Sequence, residues 1–220
     1  PYLSPALNNK TLTLLALAAL STGSLSARGE YDEIARLQAM NERVQGIRSM
    51  ADGEHYTTLE NNDIRRYAYA TDSEGVSLLP SPAPNLAISD YAFSPDERMI
   101  LIASGRTPIY RHSYTTQYHL LADGRIRPVL QEAEAPRDAS FSPDGRKIAY
   151  SDRNDLYVWD IATGKTRRIT DDGAWNAVIN GTTDWVYEEE FGTTRAYAFS
   201  PDGGQLAFLR FDESEVPLME

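Results

Sequence analysis

An all-β chain built from repeated four-stranded units is what this sequence predicts, and three observations carry that reading. The turn signature Ser-Pro-Asp recurs along the chain, usually with Gly after it. A short apolar run follows each copy. The copies stand far enough apart for about four short strands each. Composition agrees: 41% hydrophobic and 10% aromatic residues in 220 are those of a chain that folds around a core.

The first element in order is not part of that repeat. Lys10 precedes the apolar run Thr11–Leu20, about half of the roughly 20 residues a membrane span needs. Small residues follow, Ser21-Thr-Gly-Ser-Leu-Ser-Ala27, and then charged Arg28-Gly-Glu30. A basic residue, a short apolar core and a small-residue exit describe a secretory signal peptide. A buried N-terminal helix has the same Ala/Leu composition. Residues 1–27 are therefore expected to be a bacterial export signal with upstream residues, and 28–45 a lead-in. The cleaved product is expected in the periplasm and free of the membrane. Pro1–Asn9 has no place in a short basic leader. The chain opens on Pro1 and stops at Glu220 without a closing element, which reads as a piece of a longer protein.

From residue 46 the repeat takes over. Tyr91-Ala-Phe-Ser-Pro-Asp96 leads into Met99-Ile-Leu-Ile-Ala103. Ala139-Ser-Phe-Ser-Pro-Asp-Gly145 leads into Lys147-Ile-Ala-Tyr150, and Tyr197-Ala-Phe-Ser-Pro-Asp-Gly203 into Gln205-Leu-Ala-Phe-Leu209. A degraded copy, Ser49-Met-Ala-Asp-Gly53, precedes His55-Tyr-Thr-Thr-Leu59. Asp52, Asp96, Asp144 and Asp202 mark steps of 44, 48 and 58 residues. Pro presets φ within the turn, Asp bonds nearby backbone and Gly takes positive φ, so each copy is a hairpin. Asp155-Leu-Tyr-Val-Trp-Asp160, the turn Ala162-Thr-Gly-Lys165 and the strand Thr166–Thr170 complete one unit of about four strands. A lone four-stranded blade cannot cover both its faces and must stack on others. The expected fold is a partial β-propeller of about four four-stranded blades over residues 46–220. A β-sandwich with recurrent turns is the competing architecture.

One connection is long. Asp171–Arg195 explains the 58-residue step and holds Thr183-Asp-Trp-Val-Tyr-Glu-Glu-Glu-Phe191. Thr183 or Asp184 is suited to cap a short helix there. Loops of this kind gather function on one face of a propeller.

The chemistry is narrowed mostly by exclusion. With 21 Lys+Arg against 32 Asp+Glu the net charge is −11, which argues against nucleic acid and anionic membrane as partners. Zero Cys removes disulfides, thiolate metal sites and a Cys nucleophile. No Gly-x-Ser-x-Gly elbow, calcium loop or phosphate-binding glycine loop occurs, and His55, His112 and His119 lack metal-ligand spacing. No cofactor or metal is expected. Glu188, Glu189 and Glu190 stand in an aromatic setting. They are either a solvated acidic helix face or a site where an ammonium group offsets their repulsion. Arg111, in Tyr110-Arg-His-Ser-Tyr114, is either a surface arginine or one that orients a carbonyl or neutralises the glutamates. The acids of Phe211–Pro217 read as a solvated loop. The triplets Asn9-Lys-Thr11 and Asn180-Gly-Thr182 match a glycosylation pattern too common to carry weight.

Asn180-Gly-Thr-Thr-Asp-Trp-Val-Tyr-Glu-Glu-Glu-Phe191 resembles the most recognisable motif of the dipeptidyl peptidase IV family, serine exopeptidases of the prolyl oligopeptidase superfamily. Gly46–Tyr56, Tyr110–Tyr114 and Arg210–Pro217 resemble further segments of bacterial members, in family order. The resemblance implies half of an eight-bladed propeller, with an α/β-hydrolase domain and its triad outside this chain. It implies that Glu189 and Glu190 bind the free α-amine of a peptide substrate, that Arg111 contacts its first carbonyl, and that Glu188 is not an amine ligand. The activity implied is release of X-Pro and X-Ala dipeptides, with no catalytic residue in this segment and the segment inactive alone. Peptide N-termini and the hydrolase domain are the implied partners, and homodimerisation of the intact protein stays open. A non-catalytic periplasmic propeller used as an interaction module is the alternative.

Overall fold

Each Ser-Pro-Asp signature turns the chain between the first and second strands of an antiparallel sheet. The computed structural model describes residues 46–71, 74–81 and 85–217. The expectations for residues 1–27 and 28–45 lie outside the described residues. The first sheet is β1 (Arg48–Ser49), β2 (His55–Glu60), β3 (Asp63–Ala68) and β4 (Val76–Ser77). The second is β5 (Ile88–Phe93), β6 (Met99–Pro108), β7 (Tyr114–Ala122) and β8 (Arg125–Val129). The third is β9 (Pro136–Phe141), β10 (Lys147–Asp152), β11 (Asp155–Asp160) and β12 (Thr166–Arg168). All are simple meanders, with neighbours in space following chain order. The fourth repeat contributes β13 (Val178–Asn180), helix α1 (Trp185–Phe191), β14 (Tyr197–Phe199), β15 (Leu206–Phe208) and β16 (Arg210–Asp212). Here β14 pairs with β15 and β13 with β16. The all-β, partial-propeller expectation is borne out, as is the short helical insertion.

The turn geometry repeats atom for atom. Ser94, Ser142 and Ser200 donate their hydroxyls to Asp96, Asp144 and Asp202 at 2.7, 2.6 and 2.5 Å. The same hydroxyls accept the amides of Met99, Lys147 and Gln205 at 2.9, 2.9 and 2.8 Å. Gly145 and Gly203 take φ of 68° and 67° at the fourth position. Glu97 holds the equivalent place at φ 56° without glycine's freedom. Its carboxylate compensates by accepting Ala51 N at 2.7 Å, from the matching turn of the first sheet. The degraded copy keeps the hairpin but not the serine: Met50 N donates to His55 O, and Asp52 pairs with His55 Nδ1 at 2.7 Å.

Alternation along the strands decides which neighbour each residue meets. Ile100 and Ile102 of β6 pack toward the first sheet, with Ile64 and Leu79. Leu101 and Ala103 of the same strand pack toward the third, with Ile148, Tyr150 and Trp159. Ala149 of β10 turns the other way, to Leu156 and Tyr197. Middle sheets are thus covered on both faces, which is why their second strands read as unbroken apolar runs. Each fully buried Leu or Ile contributes about 1.5–3 kcal/mol.

Tyrosines stitch adjacent sheets where that packing meets the first strands. Tyr91 OH bonds Thr57 Oγ1 at 2.8 Å, and Tyr197 OH donates to Ala149 O at 2.7 Å. Both stand five residues before a turn aspartate. The third repeat has Ala139 in that place, and the stitch runs from the second sheet instead: Tyr118 OH accepts Ala139 N at 3.1 Å. Burial pushes the Tyr118 and Tyr197 phenols well above the ordinary tyrosine range, so they remain neutral hydrogen-bonding groups.

Two outcomes follow. Tyr197→Phe removes the bridge to Ala149 O and should cost about 0.5–1.5 kcal/mol, read from the denaturant midpoint; no change would mean the stitch carries nothing. The serine hydroxyls and neighbouring amides hold Asp96, Asp144 and Asp202 below the ordinary carboxyl value. A carboxylate depressed in this way stabilises fully above its unfolded pKa, and the contribution is lost as pH falls through the folded value. The turns should therefore weaken below about pH 4, and the triple variant S94A/S142A/S200A should lose part of that acid sensitivity. An acid profile parallel to that of the unmodified chain would contradict the assignment.

Candidate functional site

The insertion that carries the glutamates is fixed at its root before it reaches them. Asp155, 3% exposed, accepts Thr170 Oγ1 at 2.7 Å and Gly173 N at 3.0 Å, and pairs with Arg168. Asn180, fully buried, donates to Asp172 at 2.8 Å, and Arg210 reaches the other oxygen of that carboxylate at 2.9 Å. These bonds hold the Asp172 carboxyl below its usual range. The Asn180-Gly-Thr182 triplet therefore has its asparagine inside the protein, out of reach of glycosylation in the folded state. Gly181 follows at φ 75°, where an added Cβ would lie 2.9 Å from Leu156 Cδ1. Only glycine fits that turn of the chain.

Beyond Gly181 the two arms of the insertion meet. Thr183 N donates to Thr194 O at 3.0 Å and its hydroxyl to Thr193 O at 2.5 Å. Helix α1 spans the gap. Asp184 caps it by accepting Tyr187 N at 2.8 Å, and Gly192 ends it at φ 63° with its amide on Glu188 O. Tyr187 packs against Phe191 and against Phe211 of β16, at ring distances of 5.5 and 5.4 Å. Trp185, Val186 and Phe191 stay largely exposed.

Arg111 arrives from the second sheet. Strands β6 and β7 continue past their blade as a long hairpin, with a register shift between Ser104 and Thr107. Such a bulge bends a ribbon and re-aims its tip. Gly105 takes φ 68° there, Thr116 Oγ1 donates to Gly105 O at 2.6 Å, and the Arg106 guanidinium lies 3.7 Å over the Tyr114 ring. The tip closes with Ile109 N on Ser113 O at 2.9 Å.

Successive helical residues are rotated about 100° apart, so the three glutamates point three ways. Glu188 is 1% exposed and points into the hairpin tip, accepting His112 N at 3.0 Å and Ser113 N at 2.8 Å on one oxygen. Glu189, with a side chain 14% exposed, faces Arg111 Nη1 at 3.3 Å. Glu190 is exposed and has no hydrogen bond or ion pair among the described residues. The structure thus sets Arg111 against Glu189, with Glu190 next along the helix and no hydrogen bond or ion pair between its side chain and Arg111 among the described residues. A cavity of about 430 Å³ is lined by His112, Ser113, Asp138, Gly192, Thr194 and others, and none of Arg111, Glu189 and Glu190 lines it.

The remaining candidates disperse. His55 pairs with Asp52, and His119 sits in β7 beside Ser104 at 3.2 Å, with burial lowering its pKa. Among the described residues no group of three His, Asp or Glu is arranged to hold a metal. No helix among them is long and apolar enough to cross a membrane. The Phe211–Pro217 segment is more than a solvated acidic loop: Phe211 backs the helix. Ser214 and Arg210 hold the Asp212 carboxyl at about 2, while burial and Asp184 raise that of Glu213. Sequence reasoning missed the structural parts of Phe211 and Asp155. An aromatic two residues beyond the strand-like run Gln205–Leu209 was the available signal for the first; the second had none.

Comparison with known proteins places the chain in a family. Residues 94–220 match the family described as Dipeptidyl peptidase IV (DPP IV) N-terminal region. Dipeptidyl peptidase 4 of Trichophyton rubrum is 38% identical over 175 residues, covering 78% of this chain and 22% of that protein. The Felis catus dipeptidyl peptidase 4 is 40% identical over 138 residues, covering 61% of this chain and 18% of that one. The crystal structure of Porphyromonas gingivalis dipeptidyl peptidase 4 superposes with a TM-score of 0.72 at 37% identity, over 78% of this chain and 26% of that one. The chain spans about a quarter or less of the length of these relatives. On sequence and fold together, the chain belongs to the dipeptidyl peptidase IV family, as part of its N-terminal propeller region.

Proposed function

We propose that this segment supplies the substrate-amine anchor of a serine exopeptidase that releases X-Pro and X-Ala dipeptides from peptide N-termini. The observation that carries the proposal is the unlike state of two adjacent carboxylates. Glu189 is largely enclosed and paired with Arg111, while the Glu190 side chain is open and unpartnered among the described residues. A peptide ammonium has three donors and one charge, and two carboxylates at neighbouring positions can take two of those donors as charge-assisted bonds. The Arg111 end of the pair is exposed, so solvent screens it and the pair is weak, worth up to about 1 kcal/mol. An arriving amine can therefore displace Arg111 from Glu189 at little cost and leave the guanidinium to meet the first substrate carbonyl.

Anchoring one end of the substrate turns the site into a ruler. The bond to be cut lies at a fixed distance from the ammonium, and only one peptide length reaches a nucleophile held there. The nucleophile and its base belong, in this reading, to a hydrolase domain outside the segment, and the segment alone is inactive. Residues 1–27 would export the protein to the periplasm.

In the full-length gene product, Glu189→Gln and Glu190→Gln should each lower kcat/KM for dipeptidyl substrates about a hundredfold or more, with thermal stability unchanged. N-acetylated substrates should be refused by the parent enzyme. Binding should fall as pH rises through about 8, because the substrate ammonium deprotonates there. Parent-like kinetics in both glutamine variants would remove the anchor.

A further inference from the structure

We infer that Glu188 is a positioning residue: its buried carboxylate clips the Arg111 turn to α1, so that the two halves of the amine site move as one body. The inference rests on the amine-anchor reading. The halves come from separate elements, the β6–β7 hairpin tip and the insertion helix. The bonds from Glu188 to His112 N and Ser113 N cross 76 and 75 residues of chain. Those amides belong to the two residues after Arg111, and the acceptor is the residue before Glu189. One carboxylate oxygen therefore fixes both partners of the Arg111–Glu189 pair at the backbone. That pair cannot do so itself, since Arg111 has a side chain 72% exposed and a single 3.3 Å contact. Helix α1, at seven residues, is too short to hold its own direction. Removing the clip would leave Glu189, Glu190 and Arg111 present but loosely placed.

A double-variant cycle in the full-length gene product tests this, using a chromogenic dipeptidyl substrate. Glu188→Ala should lower kcat/KM about ten- to hundredfold. In an Arg111→Ala background the same change should cost several-fold less, because the element it positions is already gone. Glu188→Gln keeps an acceptor oxygen and should restore most of the activity, which a charge-requiring amine ligand would not. Hydrogen exchange of the 109–114 peptide should quicken in Glu188→Ala and stay near parent rates in Glu188→Gln, whether or not the protein is active. If the cost of Glu188→Ala is the same in both backgrounds, or exchange at 109–114 is unmoved, the clip is wrong. If instead Glu189→Gln and Glu190→Gln behave as parent while exchange responds to Glu188, the clip stands and the amine-anchor reading falls.

Discussion

A carboxylate removed from water is costly unless donors meet it, and Glu188 is met by two backbone amides on one oxygen. The rest of the site depends on that interaction. Neither half of the site is rigid in its own right: one is a two-turn helix, the other the end of a hairpin extended beyond its sheet. Joined, each supplies what the other lacks. The hairpin offers amides that strand pairing does not use, and the helix offers an acid that its aromatic neighbours would otherwise leave exposed.

The sheets make the junction possible by bringing the two elements near. Sequential sheets stack through alternate residues of one strand, so Leu101 and Ile102 commit β6 to neighbours on both sides. That stacking fixes where β7 and β11 begin, beside the Arg111 turn and at the root of the insertion. The tyrosine stitches tie the first strands across sheets, and the direction of a stitch can reverse without loss, as with Tyr118 and Ala139. What the fold requires is a hydroxyl bridging the gap, not a tyrosine in a given place.

This is also why some parts were legible in the sequence and others were not. The turns were legible because their chemistry is local: Ser, Pro, Asp and Gly act within five residues of one another. Asp155–Asp160 was legible as a strand because alternation is a property of the strand alone. Helix α1 was legible through its cap and its aromatic spacing. The placement of Arg111 beside Glu189 was implied by family resemblance and by nothing in the spacing, since it depends on how two sheets stack. Burial of Asn180 was hidden for the same reason. A glycosylation triplet is a local pattern, and whether its asparagine is buried depends on Asp172 and on β16 thirty residues further on.

The acidic run then ceases to be an electrostatic anomaly. Three adjacent carboxylates in an aromatic setting repel one another if they share an environment, and here they share none. Glu188 is neutralised by backbone dipoles, Glu189 by a guanidinium that solvent screens, and Glu190 by water. The gradient from buried to open follows from helical rotation once Glu188 is pinned, because fixing one residue of a helix fixes the bearings of the next two. In the proposed amine-anchor reading, a substrate ammonium arriving from solvent would meet Glu190 before Glu189 and would displace Arg111 from the latter. Under that reading the order of encounter follows from the rotation of seven helical residues about one buried acid.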